Sequence, residues 1–290
     1  MKGKSTGRAV RLSILLLTQL VICSVAPVVS GMLDSYLKVA VVKGIYALSF
    51  AVPCIMWKRM FKPIGASYYT HGWCEFKKPA FFVAFAAIVA FLQVNIVMLE
   101  LFGVRSLSSD GGFFEGILGF LFSLVMYCIL PALSEETFSR GVVMRVGGMG
   151  VRAAVLSGVL FGLCHFNPYQ LLYSIGTGIV LSFLLIYTED IKLTVLLHFT
   201  VNTVVLVLSY LARLTPVGVY VAIECIVWLA VLSLGVYYSR VILRDHHRSL
   251  NEKTKELKKN KSDITLAEVF SPAMIIAFAA IVVATVLRMI

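Results

Sequence analysis

Charged side chains are scarce in this chain. They make up 14% of its 290 residues, against about 25% in soluble domains. Acidic residues are the rarer sign, 15 against 26 lysines and arginines. A surface so poor in charge excludes an ordinary water-soluble globule. The six cysteines (Cys23, Cys54, Cys74, Cys128, Cys164, Cys225) include no C-x-x-C pair. Five of them lie in apolar runs, where cysteine behaves as a small hydrophobe, so neither a disulfide framework nor a cysteine-built metal site is expected. The chain has no H-E-x-x-H, which removes the usual zincin arrangement, and no nucleotide-binding glycine pattern. It also lacks a repeat of fixed period, and with it the solenoid architectures.

What is present is apolar sequence in long blocks, 59% hydrophobic overall. The blocks are continuous rather than alternating at period two, which predicts membrane-spanning helices and not a barrel. Spans are expected near 12–30, 37–57, 79–101, 113–138, 151–166, 169–187, 193–211, 217–239 and 271–287. The second is weakened by Lys38 and Lys43. The stretch 153–188 carries no formal charge apart from His165. As one helix it would run about 54 Å, too long for a single crossing of about 30 Å. Asn167-Pro168 supplies the break, because proline disfavours helix at the residue before it. The fold class expected is therefore an all-α polytopic membrane protein, a bundle of eight or nine transmembrane helices around a four-helix catalytic core. Its parts would be N-terminal helices over 1–112, the core over 113–211, and C-terminal helices over 212–290 with a basic cytoplasmic loop at 240–263.

The net charge of +11 suits nucleic acid or an anionic membrane, and the positions of the charges favour the membrane. Basic residues collect at the ends of apolar runs, and no folded basic domain is long enough to bind nucleic acid. With a cytoplasmic N-terminus, all lysines and arginines except Lys38, Lys43, Arg105, Arg213 and Arg288 fall on the inner side, as the positive-inside rule requires. The chain thus reads as a multi-pass protein of the cell membrane. Lys2, Lys4, Arg8 and Arg11 before the first apolar run resemble the start of a signal peptide, but the length of that run favours an uncleaved first helix.

Three polar patterns interrupt the apolar sequence at helical spacing: Glu135-Glu136-Thr137-Phe138-Ser139-Arg140, Phe161-Gly162-Leu163-Cys164-His165 and His198-Phe199-Thr200-Val201-Asn202. An ionisable side chain at the bilayer centre costs roughly 2.5–3.5 kcal/mol. Residues four apart share a helix face, so Glu136 faces with Arg140, Phe161 with His165, and His198 with Asn202. Glu135 projects about 100° from Glu136, which lets one acid pair with Arg140 while the other meets a cavity. Taken singly, each pattern suits a buried ion pair or an interhelical hydrogen bond. Three of them within 68 residues favour a common site. Gln93, Asn95 and Glu224 are further polar residues within spans, the amides suited to helix–helix bonding.

The ordered set E-E-x-x-x-R, F-x-x-x-H and H-x-x-x-N resembles the CPBP superfamily, which holds the type II CAAX prenyl endopeptidases and the Abi bacteriocin-processing and immunity proteins. All three motifs match without substitution, and the resemblance covers about residues 113–211. It implies an intramembrane endopeptidase acting on a membrane-associated, possibly prenylated, CAAX-type substrate. In that case Glu135 or Glu136 activates water, His165 assists proton transfer, His198 and Asn202 stabilise the oxyanion, and Arg140 positions the acids. Two chemistries remain open: metal-free hydrolysis, or a zinc site of Glu135, His165 and His198 with an open water position. A non-enzymatic scaffold or immunity protein and a proton-coupled transporter are the alternatives from other classes.

Overall fold

In a computed structural model, the protein is described over residues 2–31, 35–60, 76–102, 116–260 and 263–287. Lys62, Cys74, Arg105, Lys261, Arg288 and the 112/113 boundary lie outside the described residues. Helix α1 covers Lys2–Cys23 and continues through Val25–Ser30, followed by α2 (Ser35–Met60) and α3 (Lys77–Leu101). Helix α4 runs Gly116–Gly147, then come α5 (Val151–Leu163), α6 (Leu171–Thr188), α7 (Ile191–Leu214) and α8 (Val217–Asp245). The amphipathic α9 (His247–Lys259), the short α10 (Leu266–Val269) and α11 (Pro272–Leu287) complete the chain. The described residues contain no strand.

Seven of these helices are long and apolar enough to cross a membrane, and α5 and α11 are shorter apolar helices. This is a multi-pass, all-α membrane protein. Its outer faces carry exposed aliphatic side chains, such as Ile226, Leu229 and Val236 on α8. In lipid those faces need no polar cover.

Two buried clusters meet inside the bundle. One joins α1, the lower half of α4, α5 and α11, through Leu12, Phe138, Met144, Leu160 and Ala277. The other joins α3, α6, α7 and α8, through Ile88, Leu181, Leu197 and Trp228. On α4, Glu135 and Glu136 lie next to Phe138 of the first cluster, and on α7 His198 follows Leu197 of the second.

Two local features differ from the expected spans. Helix α4 continues to Gly147 rather than ending near 138, and π-helical turns at Leu124–Ile129 and Ser139–Val143 flank the acidic pair. Such turns shift the register of side chains and recur at functional sites. Helix α5 stops at Leu163, three residues early, because Phe166 takes a positive φ of 50° and Asn167 turns extended before Pro168. Its 13 residues rise only about 20 Å, so the helix ends within the membrane's thickness.

The stretch 240–263 is mostly helical, where a loop is expected. Residues 240–245 extend α8 and α9 follows. Leu257 of α9 packs on the first cluster, while the polar face pairs internally, with Arg248–Glu252 at 3.7 Å and Lys253–Glu256 at 3.0 Å. Lys253 also reaches Glu189 at 2.6 Å. Burial disfavours its ammonium, but the two glutamates outweigh that and raise its pKa above the ordinary lysine value. Asp263 caps the start of α5, accepting from the backbone N–H groups of Arg152 and Ala153 at 2.9 and 3.0 Å. Asp190 likewise caps α7 and pairs with Lys77 of α3 at 2.8 Å.

Candidate active site

Helix α4 presents its two acids to different partners. Glu136 is fully buried, and its Oε1 accepts from Arg140 Nη1 at 2.9 Å and lies 2.9 Å from His198 Nδ1. Arg140 also donates through Nη2 to the Gly178 carbonyl at 2.8 Å, and its guanidinium stacks over Phe161 at 4.7 Å. The arginine therefore ties α4 to both α5 and α6. That reach depends on a close helix contact: a Cβ on Gly178 would lie 2.8 Å from the Gly158 Cα. Small residues at such crossings let backbones approach in membranes.

Glu135 faces the other way. Its Oε2 lies 3.7 Å from His165 Nε2 and 4.0 Å from His198 Nε2, and it makes no hydrogen bond among the described residues. The tautomers follow from the partners on the far side of each ring. His165 Nδ1 sits 2.7 Å from the Phe161 carbonyl, which can only accept, so Nδ1 carries the hydrogen. His198 Nδ1 meets a carboxylate already held by arginine, and it donates there too. In the neutral rings both Nε2 lone pairs then point toward the Glu135 carboxylate. Three acceptors converge with no donor of their own, and the two O–H groups of one water molecule suit any two of them.

His165 lies beyond the end of α5, in the turn that ends it, packed edge-on to Phe161 at 4.8 Å. With a side-chain exposure of 18% it is more open than Glu135 at 3% or His198 at 7%. The helix break therefore brings His165 level with Glu135. Asn202 stands one turn beyond His198 and donates to the Tyr127 carbonyl at 3.2 Å, which leaves its second amide hydrogen for another acceptor.

Of the other polar residues within spans, the Gln93 amide nitrogen is buried and makes no hydrogen bond among the described residues, while Asn95 and Glu224 have partners away from the site. Asn95 donates to the Tyr169 carbonyl at 3.0 Å, a bond between helices. Glu224 accepts from Trp228 one turn along its own helix. Cys164 is buried in the first cluster. One residue close to the site passes unnoticed in sequence terms: Lys43 lies 4.5 Å from the centre of the Tyr127 ring and interacts electrostatically with Glu135. A lysine inside an apolar run is the signal that marks it, but that same lysine reads more simply as a weakness of the span.

Glu135, His165 and His198 are donors of the kinds zinc takes, and their Nδ1 bonds follow the outer-shell pattern of metal-bound histidine. Yet among the described residues no group of three His, Cys, Asp or Glu side chains is arranged to hold a metal ion.

Compared with known proteins, residues 117–204 match the Rce1-like family, described as type II CAAX prenyl endopeptidase Rce1-like. The matched segment contains all six residues Glu135, Glu136, Arg140, His165, His198 and Asn202. No curated protein and no solved structure matches the chain.

Proposed function

We propose that this chain, which over residues 117–204 belongs to the Rce1-like family of type II CAAX prenyl endopeptidases, is an intramembrane endopeptidase in which Glu135 activates water. The observation that carries the reading is the convergence of Glu135 Oε2, His165 Nε2 and His198 Nε2 within 4.0 Å. Glu135 takes a proton from the water, and the hydroxide oxygen bonds to the scissile carbonyl carbon while the carbonyl electron pair moves to oxygen. An oxyanion needs donors already in position. Asn202 offers its remaining amide hydrogen to that oxygen, and His198, held by Glu136 through Nδ1–H, stands beside it. The C–N bond then breaks as the proton held by Glu135 passes to the leaving amine, with His165 as the relay. Glu136 and Arg140 touch no reacting atom and act by positioning. They hold His198 and lock α4 against α5 and α6.

The substrate class is a membrane-associated peptide with a prenylated C-a-a-X terminus, reached from lipid by its hydrocarbon chain. The protein is purified in detergent and assayed on a farnesylated C-a-a-X peptide. Wild type is expected to cleave it, and Glu135→Gln to lower turnover by about 10²–10⁴-fold. Turnover is expected to persist in EDTA and 1,10-phenanthroline. Undiminished cleavage by Glu135→Gln would end the assignment of the base, and a chelator loss reversed by zinc would end the metal-free chemistry.

A further inference from the structure

Lys43 is a cation inside α2, a helix otherwise apolar through its central turns. A lysine at that depth is costly unless something offsets its charge. Among the described residues no carboxylate lies within ion-pair distance of it; it stands over the face of Tyr127 at 4.5 Å and interacts at longer range with Glu135. A cation–π contact returns about 0.5–2 kcal/mol, less than the roughly 2.5–3.5 kcal/mol that a central charge costs.

Its position relative to the reacting centre is defined by α4. Tyr127 precedes Glu135 by eight residues on one continuous helix, about 12 Å of rise. The backbone carbonyl of Tyr127 holds Asn202, so the ring under Lys43 belongs to the same wall as the oxyanion donor. A prenylated C-a-a-X chain ends in a free carboxylate three residues past its modified cysteine, a reach of about 10 Å when extended. A chain lying along α4 with its cysteine near Glu135 brings that carboxylate to Lys43.

We infer that Lys43 binds the C-terminal carboxylate of the substrate and so restricts cleavage to sites a few residues from a chain end. The inference rests on the endopeptidase reading above. Lys43 touches the substrate's terminus rather than the scissile bond, so its effect belongs in KM. The carboxylate sits on the ammonium while the Tyr127 ring backs it from behind, and an internal loop of a folded protein offers no such anion. A charge-assisted contact of this kind is worth about 10- to 100-fold in binding.

The test uses two farnesylated peptides of identical sequence, one ending in a free carboxylate and one in a carboxamide. Wild type is expected to show a KM about 10- to 100-fold lower for the carboxylate at similar kcat. Lys43→Met is expected to raise the carboxylate KM to the carboxamide value, to leave the carboxamide KM unchanged, and to change kcat on both peptides by one common factor through the lost interaction with Glu135, and Lys43→Arg to retain the preference. Wild-type cleavage of both peptides with equal KM overturns the inference and leaves the endopeptidase reading standing. A Lys43→Met protein that keeps the lower KM for the carboxylate also overturns it. Cleavage of neither peptide by wild type overturns both readings.

Discussion

Glu135 and Glu136 are adjacent and chemically identical, and their surroundings separate them. Glu136 is enclosed by Arg140 and His198, both at 2.9 Å, whereas Glu135 Oε2 has only imidazole edges at 3.7 and 4.0 Å. Removing one partner of a buried pair leaves an uncompensated charge and costs about 3–5 kcal/mol. Arg140→Ala is therefore expected to lower both thermal stability and turnover. Glu135→Gln should lower turnover while keeping the melting temperature near wild type. Thermal unfolding in detergent, followed beside peptide cleavage, separates the two roles. Equal destabilisation by both substitutions would mean that Glu135 shares the structural duty of the Glu136–Arg140 pair.

The helices are what make these distances possible. An uninterrupted α5 would carry His165 onward along its axis, but the break at Phe166 and Asn167 leaves it in a turn beside Glu135. The π-helical turns on either side of the acidic pair set which face of α4 each carboxylate meets. The origin of α5 is anchored from far along the chain, by Asp263 on the Arg152 and Ala153 amides. Loss of such a cap costs about 0.5–2 kcal/mol. Asp263→Ala is expected to destabilise the protein by that amount and to lower kcat more than KM, because α5 carries His165. Steady-state kinetics with a denaturation curve checks it, and unchanged kcat would show that α5 is held by packing alone. The break before Pro168 was legible, since proline restricts its predecessor wherever it occurs. The helical state of 240–259 was not, because its amphipathic face matters only once Leu257 has a surface to cover.

At the scale of the molecule, the ends of several helices gather on one side. Arg8 pairs with Glu268 at 3.4 Å, Asn260 donates to the Gly148 carbonyl, and Lys253 reaches Glu189. The segments rich in lysine and arginine therefore share one face of the bundle. On the positive-inside rule we propose that this face is the cytoplasmic one. A single cysteine introduced at Lys255, with Cys225 replaced by serine, is expected to react with a membrane-impermeant maleimide only after the cells are permeabilised. Labelling of intact cells would invert the topology.

Hydropathy is local and additive, so sequence alone determined that the chain is a helical membrane protein, roughly where its spans fall, and which six polar residues are costly enough to need a reason. Partnership is not local. Residues 63 apart, such as Glu135 and His198, meet only through packing in three dimensions. Tertiary structure therefore decided which carboxylate Arg140 takes, which one the imidazoles face, that Asn202 leans on Tyr127, and that Lys43 stands within the electrostatic reach of Glu135.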